Sequence, residues 1–232
     1  MKAPRDFADL PFARELVAGP EDLEMDGDYD RVIFGGASPD GTIFTDASAG
    51  GARFLEVAFT GVTFEGGWLR RARFSEVWFG QTRFVGLDAA EASLTDAWLH
   101  GCVLAGVQAF SQLMRRVTFR GCKLDSVNFR ESTLTDVTFE DCVIRETDFA
   151  GAKLKRVRFP GSHLAGVEFA NVSCDDVDLR GAALGGEDAA GAAAPGIRSG
   201  YDSLRGARID SLQLMSIAPL LAHHLGIAVE EA

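Results

Sequence analysis

The sequence is poor in cysteine and in long apolar runs. It has four cysteines in 232 residues, too few for a disulfide framework in a chain of this length, and none is part of a Cys-x-x-Cys pair. No run of about 18 apolar residues could cross a bilayer. The N-terminus lacks the charged-then-apolar layout of a secretory signal. We therefore expect a reduced, cytoplasmic protein that does not enter a membrane.

Patterns typical of catalysis, metal binding or cofactor binding are missing too. None of the four histidines has a Ser, Cys or Asp at a spacing that would assemble a triad. Asp26, Asp28 and Asp30 begin like a calcium loop, but the sixth position is Arg31 and the twelfth is Ala37. No phosphate-binding glycine loop appears. We expect no enzyme activity, no metal and no cofactor.

What the sequence does have is a period of five residues. Of the 31 positions numbered in 4 or 9 between Phe34 and Leu184, 26 are Phe, Leu, Ile or Met. Two residues earlier there is usually a small or β-branched residue, as Val137 precedes Phe139. Each quintet therefore points two side chains to one side. The exceptions to the large-residue register are Pro39, Ala49, Ala89, Ala109 and Cys174.

This period fits neither a helix nor a flat strand. Five residues of helix advance by about 500°, so the large side chains form no single face. On a straight strand an odd shift places them alternately on opposite faces. A short extended piece, then a bend, then another extended piece keeps every large residue inside. The chain must therefore coil around an axis.

Like residues recur every twenty positions, which indicates four quintets per coil. The same spacing aligns Cys102, Cys122 and Cys142. Parallel side chains one coil apart cannot converge on a tetrahedral zinc. We therefore interpret the three cysteines as small core residues. One column of residues spaced twenty apart consists of Phe59, Phe79, Leu99, Phe119, Phe139, Phe159 and Leu179. With twenty residues per coil, residues 32–184 make seven to eight coils.

The quintets "SVNFR", "DVTFE", "ETDFA" and "GAKLK" resemble the units of the pentapeptide repeat proteins. That resemblance implies a right-handed quadrilateral β-helix, an all-β solenoid of about 20 residues per coil. Two stretches stay open between loop and distorted coil: residues 106–116, where Gln112 would point inward, and residues 185–203.

The ends are expected to cover the solenoid with short helical caps. Residues 1–31 form an acidic lead-in and cap, in which Phe7, Leu10, Phe12 and Leu16 have near-helical spacing. Residues 185–209 form an irregular last coil or loop, and residues 210–232 a helical cap with Pro219 as a break or second start.

The C-terminal cap has more apolar residues than one helix face needs. In the family this kind of tail covers the last coil and can join two rods, so the resemblance implies a homodimer. The candidate dimer and cap residues are Leu212, Leu214, Met215, Ile217, Leu220, Leu221 and Leu225.

A non-enzymatic protein-binding rod is the function that these features favour, with no direct nucleic-acid binding. The resemblance extends to quinolone-resistance members thought to imitate DNA and occupy DNA gyrase, and the net charge of −11 agrees with that. However, the repeats are nearly neutral, with 19 acidic and 16 basic residues. A scaffolding module with another protein partner is the alternative. The most negative side of the rod has Asp88, Glu91, Glu131, Asp148 and Glu168.

Three tryptophans occupy outward positions in the repeat. Trp78 and Trp98 are one coil apart in one column, and Trp68 has the same place in another quintet. Exposed tryptophans often mark a binding patch. Alternatively, the N-terminal segment or a loop folds over them, and the sequence does not decide between the two.

Overall fold

Bends at regular intervals turn the chain into a coil. The computed structural model describes residue 4 and residues 6–35, 41–187 and 190–229. At positions numbered in 1 or 6 the backbone enters the left-handed region, as at Glu76 (φ 55°), Asp136 (φ 57°) and Gly121 (φ 59°). Left-handed backbone costs a non-glycine residue about 1–2 kcal/mol. Packing between coils must offset that cost at each corner.

The extended pieces between bends are short parallel strands. In chain order they are β1 (Val17–Ala18), β2 (Asp28–Asp30), β3 (Val32–Gly35), β4 (Thr42–Thr45), β5 (Arg53–Leu55), β6 (Ala58–Thr60), β7 (Val62–Glu65), β8 (Arg73–Gly80), β9 (Arg83–Val85), β10 (Ser93–His100), β11 (Val103–Ala105), β12 (Leu113–Arg120), β13 (Lys123–Asp125), β14 (Thr133–Glu140), β15 (Val143–Arg145), β16 (Lys153–Lys155), β17 (His163–Ala165), β18 (Val167–Glu168), β19 (Ser173–Asp175), β20 (Ala183–Leu184), β21 (Gly186–Glu187), β22 (Ala193–Ala194) and β23 (Ile197–Ser199).

Most of these strands belong to two parallel sheets. The larger has eleven strands and includes the eight-residue strands β8, β10, β12 and β14, which run across a corner. The smaller has eight, from β4 to β20. Partners lie four quintets apart along most of the chain, as Phe119 pairs with Phe139. The predicted solenoid of four quintets per coil is confirmed, with about seven coils.

Four walls surround the core, each named here by its inward residues. Wall A has Phe59, Phe79, Leu99, Phe119, Phe139, Phe159 and Leu179. Wall B has Phe44, Phe64, Phe84, Leu104, Leu124, Ile144 and Leu164. Wall C has Ala49, Leu69, Ala89, Ala109, Phe129, Phe149 and Phe169. Wall D has Phe54, Phe74, Leu94, Met114, Leu134 and Leu154.

Aromatic rings stack on one another within the walls. The ring centroids of Phe119 and Phe139 are 4.7 Å apart, and those of Phe139 and Phe159 are 5.1 Å apart, in nearly parallel planes. All three side chains are buried. The five-residue register is therefore a set of stacked columns inside the rod, as its period predicted.

The first coil is longer than the others and begins earlier than residue 32. Asp28 pairs with Arg53 and Ile33 with Ala58, so the partners in both pairs are five quintets apart rather than four. Tyr29 is buried and stacks on Phe54, with ring centroids 4.9 Å apart. The solenoid therefore begins one strand before the expected boundary at residue 31. Pro39, one of the exceptions in the register, is outside the described residues.

The N-terminal segment is mostly not helical. Only Phe7–Asp9 forms a 3-10 helix, and turns follow it up to β1, which pairs with β3 at the edge of the larger sheet. The segment from residue 6 to residue 18, called the strap below, lies along the outside of wall A rather than across the open end. The structure thus differs from the expected helical cap, because these apolar residues anchor an irregular segment.

Residues 106–116 form an ordinary coil. They continue into β12, which pairs with β10 and β14 at a separation of four quintets, as the neighbouring strands of this sheet do. Gln112 does point inward, and its Nε2 donates a 2.8 Å hydrogen bond to the carbonyl oxygen of Ala89. Ser132, one coil later, donates from its hydroxyl to the carbonyl of Ala109 at 3.0 Å. Gln112 therefore satisfies the same kind of backbone acceptor with a longer side chain.

In the last coil an inserted loop is followed by a return to the solenoid, so both of the alternatives left open for residues 185–203 are present. Val167 pairs with Ile197 and Asp178 with Arg208, so the partners in each pair are six quintets apart. The two extra quintets include the antiparallel pair β21 and β22. After them the chain resumes the solenoid, with a 3-10 helix at Tyr201–Leu204, and Leu204 and Ile209 pack against the core.

The helix α1 (Ser211–His224) covers the last coil. Asp210 caps it, accepting a 2.9 Å hydrogen bond from the Gln213 backbone N–H. The Gln213 side chain donates to the carbonyls of Leu179 and Ala182, at 2.5 and 2.7 Å. Pro219 lies inside the helix without ending it, contrary to the expected break. In the part of the chain that the structure describes, no helix is long and apolar enough to span a membrane.

Ion pairs brace the outside of the corner between walls D and A. Arg116 donates two hydrogen bonds to Asp96, at 2.5 and 2.6 Å, and Arg156 does the same to Asp136 at 2.5 and 2.7 Å. The partners in each pair are one coil apart. The hydrogen bond from Arg156 lowers the pKa of Asp136. These pairs tie successive coils together at positions where the backbone is left-handed.

A cavity interrupts the packed core beside wall C. Ala89 and Ala109 follow one another in wall C, between the larger Leu69 and Phe129. Leu87 replaces the usual small residue beside Ala89 and occupies part of the missing volume. A cavity of about 50 Å³ remains, lined almost wholly by apolar side chains.

Filling this cavity should stabilise the rod. Ala109→Leu is expected to raise the free energy of unfolding by about 1 kcal/mol, since cavity volume costs about 24 cal/mol per Å³. Ala97→Leu, at a fully buried position beside Leu99, is the control and should lower it by about 1–3 kcal/mol through overpacking. Urea unfolding followed by circular dichroism measures both. Equal destabilisation by the two substitutions would contradict the cavity assignment.

Acid should weaken the rod through its paired carboxylates. The hydrogen bond from Arg180 lowers the pKa of Asp178 to about 2. Because this pKa lies below the value of about 3.9 in an unfolded chain, the stabilisation is complete above pH 4 and is lost as the pH falls towards 2.

Asp178→Asn retains the side-chain oxygen that accepts from the Arg180 N–H but removes the charge. We expect a loss on the order of 1 kcal/mol at pH 7, reduced by the exposure of Arg180, and no difference near pH 2. Asp22→Asn, an exposed carboxylate without an ion pair among the described residues, is the control. A pH-independent loss in Asp178→Asn would contradict the electrostatic origin.

Candidate protein-binding surfaces

The candidate acidic residues lie on the outside of wall C or at its corner with wall D. Ser48, Trp68, Asp88 and Gln108 follow each other on wall C as bridged neighbours, and the column continues to Glu168. The coil spacing places Trp68 directly beside the first of the acidic residues. The predicted acidic side and one of the three tryptophans therefore share one face of the rod.

Arginines neutralise two of the acids at the centre of this column. The Arg70 guanidinium is 2.7 Å from Asp88, and that of Arg130 is 2.8 Å from Asp148. The second oxygen of each carboxylate accepts the backbone N–H two residues ahead, at 3.1 and 2.7 Å. Asp88 and Asp148 therefore have structural partners on both oxygens.

Two of the other three acids are paired as well. Arg71 donates to Glu91 at 2.9 Å and so lowers the pKa of that carboxyl. Glu168 is 3.8 Å from Arg198, which the last coil supplies. Glu131 alone has no ion pair among the residues that the structure describes.

The sequence contained a signal for most of this pairing. The spacing along the chain is 18 residues between Arg70 and Asp88 and 20 residues between Arg71 and Glu91. In a coil of four quintets these spacings place the partners in adjacent levels. The partner of Glu168 gave no such signal, because Arg198 follows the irregular loop of the last coil.

The three tryptophans have different surroundings. Trp68 is 47% exposed on wall C, next to the ion pair of Arg70 and Asp88. Trp78 is only 4% exposed, since the strap covers it, and it cannot contact a partner in this conformation. Trp98 is partly covered at the margin of the same contact. Of the two alternatives for the tryptophans, the one that applies to Trp78 is therefore cover by the N-terminal segment.

The helix α1 exposes a broad apolar surface. Ile217 is buried against the last coil, as is Gln213, and Leu220 and Leu221 are half-buried. A narrow face of the helix is therefore enough for its contacts within the chain. The exposed side chains are Leu212 at 72%, Met215 at 64%, and Leu214 and Leu225 beside them.

The column of cysteines is structural. Sγ of Cys102 donates to the carbonyl of Phe79 at 3.2 Å, and Sγ of Cys122 to that of Leu99 at 3.3 Å. The interaction with Cys102, together with burial, raises the pKa of Cys122 to about 12. Buried thiols with raised pKa values are unreactive. Within the described residues, no group of His, Cys, Asp and Glu side chains has a geometry that could hold a metal.

Two family models for pentapeptide repeats match the chain. The model described as pentapeptide repeats in eight copies matches residues 40–75 and 69–106. The model described as a pentapeptide repeat region matches residues 92–169 and 112–188. Together the matches span residues 40–188, more than half of the chain. No curated protein sequence matches significantly.

Solved structures with the same kind of repeat are similar to this chain at low identity. A trypsin-treated variant of QnrB1, a plasmid-mediated fluoroquinolone resistance protein, is 17% identical over 93% of this chain and 95% of that chain, with a TM-score of 0.49. HetL from the cyanobacterium Nostoc sp. strain PCC 7120, a pentapeptide repeat protein involved in heterocyst differentiation regulation, is 14% identical over 81% and 91%, with a TM-score of 0.47. Both TM-scores are below 0.5, and neither likeness indicates what this chain binds. From its repeat register and the two family models, the chain belongs to the pentapeptide repeat proteins.

Proposed function

We propose that this chain is a non-enzymatic, protein-binding rod that acts as a homodimer joined through α1. The observation that carries the proposal is the exposed apolar surface of that helix. Exposed large side chains on a rigid frame favour contact with another protein surface. The parallel walls hold their outward side chains in fixed positions, so a partner meets a preformed surface and little ordering is required of the rod.

The dimer is expected to depend on Leu212 and Met215. The double substitution Leu212→Glu and Met215→Glu should weaken self-association roughly a hundredfold or more, because each side chain contributes about 1.5–3 kcal/mol when buried. Light scattering across a dilution series measures the oligomeric state. Ile43→Glu, which replaces an exposed apolar residue near the opposite end of the rod, is the matched control. A full-length wild-type protein that is monomeric at all concentrations would refute the homodimer.

A second surface for a partner is the outside of wall C around Trp68. Trp68 is the most exposed of the three tryptophans. Arg70 follows it two residues later, and the Arg70 guanidinium is 5.9 Å from the ring centre of Phe110, two coils further along the rod. An exposed aromatic next to an arginine is a typical composition for the centre of an interface. We propose this patch as the contact with the protein partner.

DNA gyrase is the specific partner that we propose, with the rod acting as a mimic of duplex DNA. Membership of the pentapeptide repeat family and the net charge of −11 support this proposal. The paired carboxylates of wall C weaken it, since most of that column is neutralised. A run of unpaired negative charge lies near the N-terminal end, where the exposed acids of residues 21–30 have no ion pair among the described residues.

The gyrase proposal predicts that the purified chain inhibits supercoiling by gyrase or protects it from a quinolone. Glu91→Gln with Glu131→Gln should reduce the effect severalfold, and Glu65→Gln on wall B is the matched control. An absence of inhibition, of protection and of a complex with the gyrase subunits would refute gyrase as the partner. A scaffolding module for another protein would then be the remaining form of the proposed function.

A further inference from the structure

An apolar strip runs along the outside of wall A, where repeat proteins normally present polar residues to water. Ile33, Ala58, Trp78 and Trp98 occupy successive outward positions and pair directly with one another across adjacent strands. Beyond Trp98 the column changes to Thr118, and polar residues continue further along. The apolar strip is therefore confined to the coils nearest the N-terminus.

The strap covers this strip with two anchors. Leu10 and Phe12 are buried and form a small cluster with Ala58 and Trp78 that is separate from the core of the solenoid. Phe7 also contacts Trp78, with ring centroids 6.5 Å apart. The two buried anchors are two residues apart in "LPF", and Phe7, Ala13 and Leu16 pack around them at the edge of the same cluster.

Few polar contacts attach the strap to the wall. Asp9 aside, the polar links between the described strap residues and the solenoid are the two-residue pairing of β1 with β3 and an ion pair of 3.6 Å between Glu15 and Arg31. To leave wall A, the strap must break the short pairing of β1 with β3, in which the Val17 N–H donates to the carbonyl of Arg31, but no hydrogen bond between one coil and the next. Other backbone N–H groups donate to carbonyls within the strap itself, namely those of Asp9, Leu10, Ala13 and Glu15.

The cover is also incomplete at one end. Trp98 is only partly buried, and a shallow crevice lies between Pro4, Trp98, Thr118 and Arg120. A segment arriving from outside can contact Trp98 before the strap has moved. It would then have the rest of the strip available as the strap is displaced.

We propose that the apolar strip is a docking surface for a segment of a partner protein that carries an aliphatic and an aromatic side chain two residues apart. The strap occupies this surface in the resting chain and competes with the partner. The bound strap itself shows which chemistry the surface accepts. This inference rests on the proposed protein-binding function, and its test involves neither gyrase nor the dimer joined through α1, so the two can fail separately.

A peptide of the strap sequence, added in trans, tests the surface directly. The probe is fluorescently labelled "DFADLPFARELVAG", residues 6–19, and the receptor is the full-length variant Leu10→Ser with Phe12→Ser. Saturable binding is expected by fluorescence anisotropy, at least tenfold tighter than to wild type, because the covered fraction of wild type reduces its apparent affinity. The same peptide with both anchors replaced by serine is the control.

Several results would overturn the proposal. They are no saturable binding to a folded variant, equal binding of the serine peptide, or binding unchanged by a further Trp98→Ala substitution in the receptor. Tryptophan emission of wild type that changes on dilution would instead indicate that the strap seats in a second copy of the chain, and would also overturn it.

Hydrogen exchange on unmodified wild type keeps the test decisive if the variant does not fold. The strap amides of Leu10, Ala13 and Glu15 should exchange together and at least about a hundredfold faster than those of β10, because the strap opens without unfolding the solenoid. Exchange at the rate of β10 would show that the strap is part of the cooperative fold and would contradict a displaceable cover.

Discussion

Stacking of like side chains on like, one coil above another, is the interaction on which the rest of this molecule depends. The parallel strands fix the distance between coils, and a repeat of four quintets returns the same wall position to each level. Phenylalanines can then stack with nearly parallel rings, which buries large apolar areas without a second layer of structure. The left-handed corners are strained, and the columns and the ion pairs outside them compensate.

Because extra quintets can be accommodated within one coil while each wall residue still meets its counterpart in the next level, the chain can gain whole quintets without losing its columns. The first coil has one extra quintet and the last has two, yet Tyr29 still stacks on Phe54 and Ile197 still pairs with Val167. Wall C tolerates the cavity beside Ala89 because each level of the solenoid is held by the levels on both sides of it. Surface features can therefore vary widely on a constant frame.

The sequence predicted the part of the structure that periodicity governs. The register, the coil length and the inward direction of Gln112 all followed from spacing. The environment of surface residues was harder to predict, because the repeat pattern places a residue at an outward position but does not say which other part of the chain covers it. Trp78 has the same repeat position as Trp68, and only the path of the strap separates a buried side chain from an exposed one. Likewise, Asp88 and Asp148 on wall C have no evident partner in the linear sequence. Their separation of 18 residues from Arg70 and Arg130 predicts an ion pair only when it is compared with the coil length of twenty residues.

The central claim, that four quintets make one structural level, is tested most directly by deleting whole and half levels. Removal of residues 126–145 should leave every remaining column aligned and give a folded rod one coil shorter, by about 4.8 Å, with cooperative thermal unfolding by circular dichroism. Removal of residues 126–135 should place wall A residues over wall C and abolish cooperative unfolding. If the half-level deletion unfolds as cooperatively as the whole-level deletion, or if both fail to fold, the stacked-column account is contradicted.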